Sequence, residues 1–228
     1  MTAIAIFVKT PGYSSIKTRL ARDVGQAKAE QWHRLAAEAV AKQATKAAIG
    51  PVYFAVAEPE ARNHPLWSSL PTLDQGEGGL GERMHHVHNH LIEEHGSALL
   101  LGADTIQWQS DWLQQADRWL ENNEPRLCIG PARDGGFWTF GSNCKIDRAA
   151  WISVRYSRAD TLKEFIGAMH DSGPDSGQWM ELPRLTDLDE LSDIQWVLDE
   201  LSQPTRRGAF ENDREIRTFL ETLSNVNS

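Results

Sequence analysis

Short apolar runs alternating with long helical stretches constrain this chain more than any other feature. The first run, Ala3-Ile-Ala-Ile-Phe-Val8, is continuous and rich in β-branched residues, as in a strand buried on both faces. Val52–Val56, Ala98–Leu101, Leu127–Ile129, Phe137–Phe140 and Trp179–Leu182 read as further strands. Helical patterns lie between them, at about 27–48, 82–95, 110–122, 159–170 and 191–201, with a last one at 211–223. In the longest, Trp32, Leu35, Ala36, Ala39 and Val40 form one apolar stripe, and Gly50-Pro51 stops it. Residues 9–19 read as a turn region, 58–73 as a loop with a short helix, 75–81 as a glycine-rich turn, and 171–177 and 202–208 as loops. This alternation predicts a mostly parallel sheet covered by helices on both faces, a three-layer α/β/α arrangement. No repeat or linker divides the 228 residues. One domain over residues 1–223 is expected, with 224–228 as a frayed polar tail.

The formal net charge is −9, which argues against a nucleic-acid partner, because such proteins usually present a basic surface. Cys128 and Cys144 make no metal-ligand spacing and fit a reducing compartment as inert core thiols. No signal peptide and no membrane-length apolar run are visible, so a cytoplasmic location is expected. Trp32, Trp112, Trp119 and Trp196 fall in helical patterns and read as core or groove residues.

Open α/β sheets bind ligands beyond the carboxyl ends of their strands, and four polar clusters lie at such ends. The first is the loop from Lys9 to Arg19, where Lys9, Lys17 and Arg19 sit among small residues. Such a loop can hold phosphate oxygens through backbone N–H groups and charge-assisted bonds. It lacks the spacing of a Walker A loop. The second contains Gln75, Gly78, Gly79, Gly81 and Arg83, whose glycines allow a ligand close to the backbone. The nearby His86 and His90, four apart on a helix, lack carboxylate support and read as surface histidines rather than a zinc site.

Asp104 ends the third strand, where it can ligate magnesium or cap a helix. The cap reading is weaker, because the next helix pattern starts only near Ser110. Asp187 and Asp189, two apart in extended chain, would point the same way and could complete a metal site; Asp189 can also cap the helix that follows. Asp134-Gly135-Gly136 marks a further strand end or a tight turn.

Taken in order, Lys-x-Pro-Gly…Lys-Thr-Arg-Leu, Leu-Gly-x-Arg-Met, Gly-x-Asp, Gly-Pro-Ala-x-Asp-Gly-Gly and Asp-x-Asp resemble a bacterial glycosyltransferase-A-like family. That family belongs to the nucleotide-diphospho-sugar transferase superfamily. The chain also resembles the molybdenum-cofactor and phospholactate guanylyltransferases. The resemblance covers residues 3 to about 200 and implies a Rossmann-like sheet of GT-A type. It implies that Lys9, Pro11, Gly12, Lys17 and Arg19 bind nucleotide phosphates, and that Gln75, Gly81 and Arg83 flank the base or sugar. Asp104, Asp187 and Asp189 would hold Mg²⁺ or Mn²⁺. Asp134, Gly135 and Gly136 would line the acceptor side. Three segments depart from the family: Asp104-Thr105-Ile106 lacks a usual proline, Tyr156-Ser157-Arg158 replaces an aromatic-Ser-Thr segment, and Phe137 replaces a tyrosine.

The expected activity is metal-dependent transfer from a nucleotide or nucleotide-sugar donor to a small acceptor, with Lys17, Arg19 and Asp104 as catalytic residues. Nucleotidyl and glycosyl transfer both suit this layout. The altered segment after Asp104 also leaves a catalytically silent nucleotide-sensing module as an alternative.

Overall fold

The computed structural model describes residues 1–172, 178–203 and 214–224. One sheet of seven strands runs through it in the order β3-β2-β1-β4-β6-β5-β7. The strands are β1 (Ala3–Val8), β2 (Val52–Val56), β3 (Thr72–Asp74), β4 (Ala98–Gly102), β5 (Arg126–Pro131), β6 (Phe137–Ser142) and β7 (Gln178–Glu181). Only β6 runs against its neighbours β4 and β5, so the sheet is mostly parallel, as the alternation predicts. The carboxyl ends of β1, β4, β5 and β7 and the start of β6 therefore share one edge.

Period-two alternation builds the layers. Ile4, Ile6, Val8, Leu99 and Leu101 face one core, while Ala3, Ala5, Ala98 and Leu100 face the other. The first core is closed by α1 (Thr18–Val24), α2 (Gln26–Ala47), α4 (Ser110–Leu120), α7 (Ile194–Ser202) and α8 (Arg214–Ser224). The second is closed by α3 (Leu80–His95), α5 (Arg148–Ile152) and α6 (Thr161–Ser172). This is the three-layer α/β/α architecture.

Several local readings need correction. Residues 18–24 form α1, overlapping the end of the 9–19 turn region at Thr18 and Arg19, and Arg148–Ile152 form α5, which no periodicity announces. Both helices are short and bury few residues, so the pattern each leaves is faint. Thr72–Asp74 form the edge strand β3, and Asp171 and Ser172 end α6 rather than opening a loop. Most of the expected 202–208 loop, the start of the last helix at 211–213 and the tail beyond Ser224 lie outside the described residues. Trp196 is 49% exposed, unlike the fully buried Trp32, Trp67, Trp108, Trp138 and Trp151. Cys128 is a buried free thiol pushed up to about 12 by burial, consistent with an inert core residue. Among the described residues, no helix is long and apolar enough to cross a membrane.

Candidate active site

Four segments meet at the shared strand edge: the loop after β1, residues 102–105 after β4, the β5–β6 turn, and residues 185–190 after β7. Their centre is Lys17. Its side chain is only 6% exposed, and its ammonium is paired with Asp104 Oδ2 and, at 2.5 Å, with Asp189 Oδ1. Lys17 caps α1 in the left-handed region, with φ 45°. That conformation costs a non-glycine residue about 1–2 kcal/mol. A glycine would adopt it without strain but would supply no charge.

The charges of this cluster are strongly linked. Burial alone would favour a neutral Lys17, but the negative charge of Asp104 and then Asp189 outweighs it and holds the ammonium above its ordinary range. Burial likewise opposes ionised Asp104, yet the adjacent Lys17 holds this carboxyl below its ordinary value. Asp187 goes the other way. Burial first, and then the charge of Asp104, push it well above the ordinary carboxylate range, against the pull of Lys17 and a hydrogen bond from Thr105 Oγ1. One lysine does not fully compensate the acidic set. Among the described residues, no group of three or more His, Cys, Asp or Glu side chains is gathered about one point. The Lys17 amine lies between the carboxylates instead.

The 185–190 segment is shaped from beneath. Asp189 N–H donates to the Asp187 carbonyl at 3.1 Å, so the two aspartates are not related by extended chain as expected. They diverge, Asp187 toward Thr105 and Asp189 toward Lys17. Glu190, rather than Asp189, caps the 3₁₀ turn that follows, and Asp193 Oδ2 accepts from the N–H groups of Asp189 and Glu190. Buried Glu200 on α7 accepts from Thr186 N–H at 3.1 Å, Thr186 Oγ1 at 2.8 Å and Gln107 Nε2 at 3.2 Å. It thereby fixes the residue before Asp187.

The loop after β1 is anchored by residues that carry no obvious signal in the sequence. Buried His33 bonds the Lys9 carbonyl through Nε2 at 2.9 Å, which requires the Nε2–H tautomer. Burial lowers its pKa and so keeps it neutral at pH 7. Glu58, just past β2, accepts from Thr10 N–H at 2.9 Å, and Trp67 Nε1 donates to Thr10 Oγ1 at 2.9 Å. Beyond this clamp the loop is open. Gly12 has φ 84° and nothing within 4 Å of the space a Cβ would take. Pro11 is half-buried beside it, and Lys9 is exposed. The Arg19 side chain is 55% exposed, with Nε 3.9 Å from Glu190 Oε1.

The second cluster lies along the same edge, beside the ends of β1 and β2. Gln75 Nε2 donates to the carbonyls of Val8 and Ala55, at 3.2 and 2.8 Å, and so ties two strands together. Arg83 donates to the carbonyls of Gly78 and Ala57. Gly81 lets α3 meet α5, since a Cβ there would collide with the Trp151 carbonyl and come within 2.8 Å of the Tyr156 ring. On the far side, Asp134 accepts from Gly136 N–H at 2.8 Å and stands near enough to add to the upward push on Asp187. Gly135, at φ 92°, admits the Ala159 carbonyl into the space a Cβ would fill. His88 is buried and bonded to Ser142 Oγ at 2.8 Å, and so is a core histidine.

Residues 35–158, more than half of the chain, match the family described as "Uncharacterized protein conserved in bacteria (DUF2064)", and the chain belongs to that family. No curated protein matches it in sequence. Among solved structures, it is similar to a protein from Desulfovibrio desulfuricans G20 provisionally named a nucleotide-diphospho-sugar transferase. That likeness has a TM-score of 0.78 at 22% identity and covers 97% of each chain. It is more distantly similar to CMP:2-keto-3-deoxy-manno-octonic acid synthetase complexed with CTP, with TM-score 0.53, 12% identity, and coverage of 89% of this chain and 99% of that one. A 4-diphosphocytidyl-2C-methyl-D-erythritol synthase from Anaerococcus prevotii DSM 20548 gives TM-score 0.51, 8% identity, and coverage of 89% and 97%. The fold is thus that of nucleotide-diphospho-sugar transferase-like proteins.

Proposed function

We propose that the chain is a cation-assisted transferase that moves a nucleotidyl or glycosyl group from a nucleotide donor to a small acceptor. One observation carries this reading above the others. A buried lysine whose charged form its carboxylate neighbours favour, and at least two carboxylates of unequal proton affinity, meet at one edge of a mostly parallel sheet. Stability alone explains such a cluster poorly, because a buried ion pair is costly to desolvate.

A divalent cation fits the donor set. Every candidate ligand is a hard oxygen, as Mg²⁺ or Mn²⁺ prefers. The raised proton affinity of Asp187 marks negative charge that Lys17 leaves uncompensated. Asp104 and Asp187 would hold the ion, with Asp189 beside them, and it would neutralise charge on the donor phosphates when bound. The chain's own residues supply the rest. Lys17 is a fixed positive charge that can stabilise a leaving phosphate group, and exposed Arg19 extends that charge toward solvent. The open backbone around Gly12 accepts phosphate oxygens, and the Asp134 turn bounds the acceptor side.

A second reading has its own observation. Lys17 already bridges Asp104 and Asp189, so a nucleotide could bind without any metal, as in a sensing module. Thermal-shift screening of nucleotides with and without Mg²⁺ separates the two. Transferase function predicts Mg²⁺-dependent stabilisation. It also predicts either pyrophosphate release from one nucleoside triphosphate or nucleoside diphosphate release from one nucleotide-sugar. Asp104→Asn should abolish that release. Binding that ignores both Mg²⁺ and Asp104→Asn, with no release from any donor, would leave the sensing module standing.

A further inference from the structure

Arg133 occupies the acceptor side of the crevice and has no part in the chemistry described so far. It directly follows Ala132, which is bridged to Leu185, and its own N–H donates to the Leu185 carbonyl at 2.8 Å. The β5–β6 turn and the 185–190 segment are thus joined at its backbone. Its guanidinium lies 4.1 Å over the ring of Trp196 on α7. Nε donates to Thr186 Oγ1 at 3.2 Å, and Nη2 stands 3.7 Å from Glu200 Oε1. That last contact is an ion pair too long for a hydrogen bond, and Glu200 already accepts from Thr186 and Gln107, so the exposed part of the guanidinium still has donors to offer. The side chain of Arg133 remains 45% exposed.

Trp196 sharpens the point. It is 49% exposed, so its place is weakly explained by core packing. Its ring holds the guanidinium 4.1 Å from its centroid, and ordering the arginine in advance lowers the entropy cost of binding a planar or tetrahedral anion. The arginine also neighbours the site in sequence on both sides of the joint, since Asp134 follows it and Asp187 follows its partner Thr186.

We infer that Arg133, stacked on Trp196, anchors an anionic group, phosphate or carboxylate, carried by the acceptor. This rests on the transferase reading for the word acceptor, but the anion site stands on its own geometry. Its backbone support differs from that of the proposed donor-phosphate loop. The basic loop follows β1 and Arg133 follows β5, three strand spacings away in the order β1-β4-β6-β5. At about 4.8 Å per spacing the two backbone segments stand about 14 Å apart, so a group seated at Gly12 and one seated at Arg133 rest on different loops.

Titration calorimetry on the full chain tests it, with glycerol 3-phosphate, glycerol and a nucleoside diphosphate as probes. Glycerol 3-phosphate should bind and glycerol should not. Arg133→Gln should weaken glycerol 3-phosphate by about 10- to 100-fold, the worth of a charge-assisted contact, and leave the diphosphate affinity unchanged. Arg133→Lys should recover only part, and Trp196→Ala should weaken the anion without removing the charge. Saturating diphosphate should not displace glycerol 3-phosphate. Three results overturn the inference: no glycerol 3-phosphate binding at millimolar concentrations, equal binding of glycerol, or displacement by the diphosphate with no effect of Arg133→Gln. The last would assign the anion to the donor site. If the diphosphate fails to bind while glycerol 3-phosphate remains dependent on Arg133, the anion site survives and the nucleotide-donor reading falls.

Discussion

Lys17 and Asp189 stand 172 positions apart in the chain, and the sheet edge brings Nζ and Oδ1 to 2.5 Å. The same ammonium pairs with Asp104, so one cation ties together the ends of β1, β4 and β7. Lys17→Met removes it and leaves partly buried carboxylates facing one another. Because Asp104 and Asp189 retain some solvent, the loss is smaller than for a fully buried pair, about 2–3 kcal/mol. Urea unfolding in the presence of EDTA should show it. Added Mg²⁺ should restore more stability to the variant than to the parent, and equal restoration would count against a cation sharing these carboxylates.

Acid should destabilise the protein through a histidine remote from the site. Burial depresses His88 from 6.5 to about 4. The unfolded chain therefore binds a proton that the folded chain refuses, so stability falls as pH drops from about 6.5 toward 4. The shift corresponds to about 3 kcal/mol across that window. His33 moves in the same direction. His88→Gln, which can still bond Ser142, should lower stability at pH 7 and flatten the decline. A melting-temperature series from pH 7 to 4 decides this, and an unchanged slope in the variant would refute it.

How far the sequence alone reaches is visible at particular residues. Strands β1 and β4 are continuous apolar runs, and their read-out is direct, because burial on both faces leaves no other use for such runs. Lys17 and Asp104 could be placed at one edge from topology, although nothing in the spacing says that they touch. The turn between Asp187 and Asp189 is not legible in the sequence, since a bond from one residue's N–H to the carbonyl two before it leaves no compositional mark. His33, Glu58 and Glu200 leave no readable mark for a related reason. Each is a polar residue within or beside an apolar pattern, and its partners lie 14 to 93 positions away. Gly81 reads from sequence as room for a ligand, while the structure already needs it for room between helices.

That last point predicts a separation of effects. Gly81→Ala must push the Trp151 carbonyl or tilt α3 against α5, at a cost of about 1–3 kcal/mol. Thermal unfolding of the nucleotide-free protein should register this loss. If stability is unchanged while nucleotide affinity falls, ligand approach is what the glycine serves.

Asp187 offers the sharpest test of a site that sacrifices stability for function. Its folded-state proton affinity is raised by burial and by Asp104, so the folded chain binds a proton at pH values where the unfolded chain has released it. Stability from this group is therefore largest below the unfolded value of 3.8 and declines as pH rises through the raised folded value. Asp187→Asn removes that dependence while keeping an oxygen for Thr105 Oγ1 to donate to. The variant should be more stable than the parent in EDTA at pH 8 by about 1–2 kcal/mol and should lose most of that advantage near pH 4. Transfer from the nucleotide donor should fall steeply in the same variant, because an amide does not supply the charge a divalent cation needs. Paired melting curves at the two pH values are enough to judge it. A variant less stable than the parent at pH 8 would mean that Asp187 is ionised and well paired in the folded chain, and that Lys17 alone balances the acidic cluster.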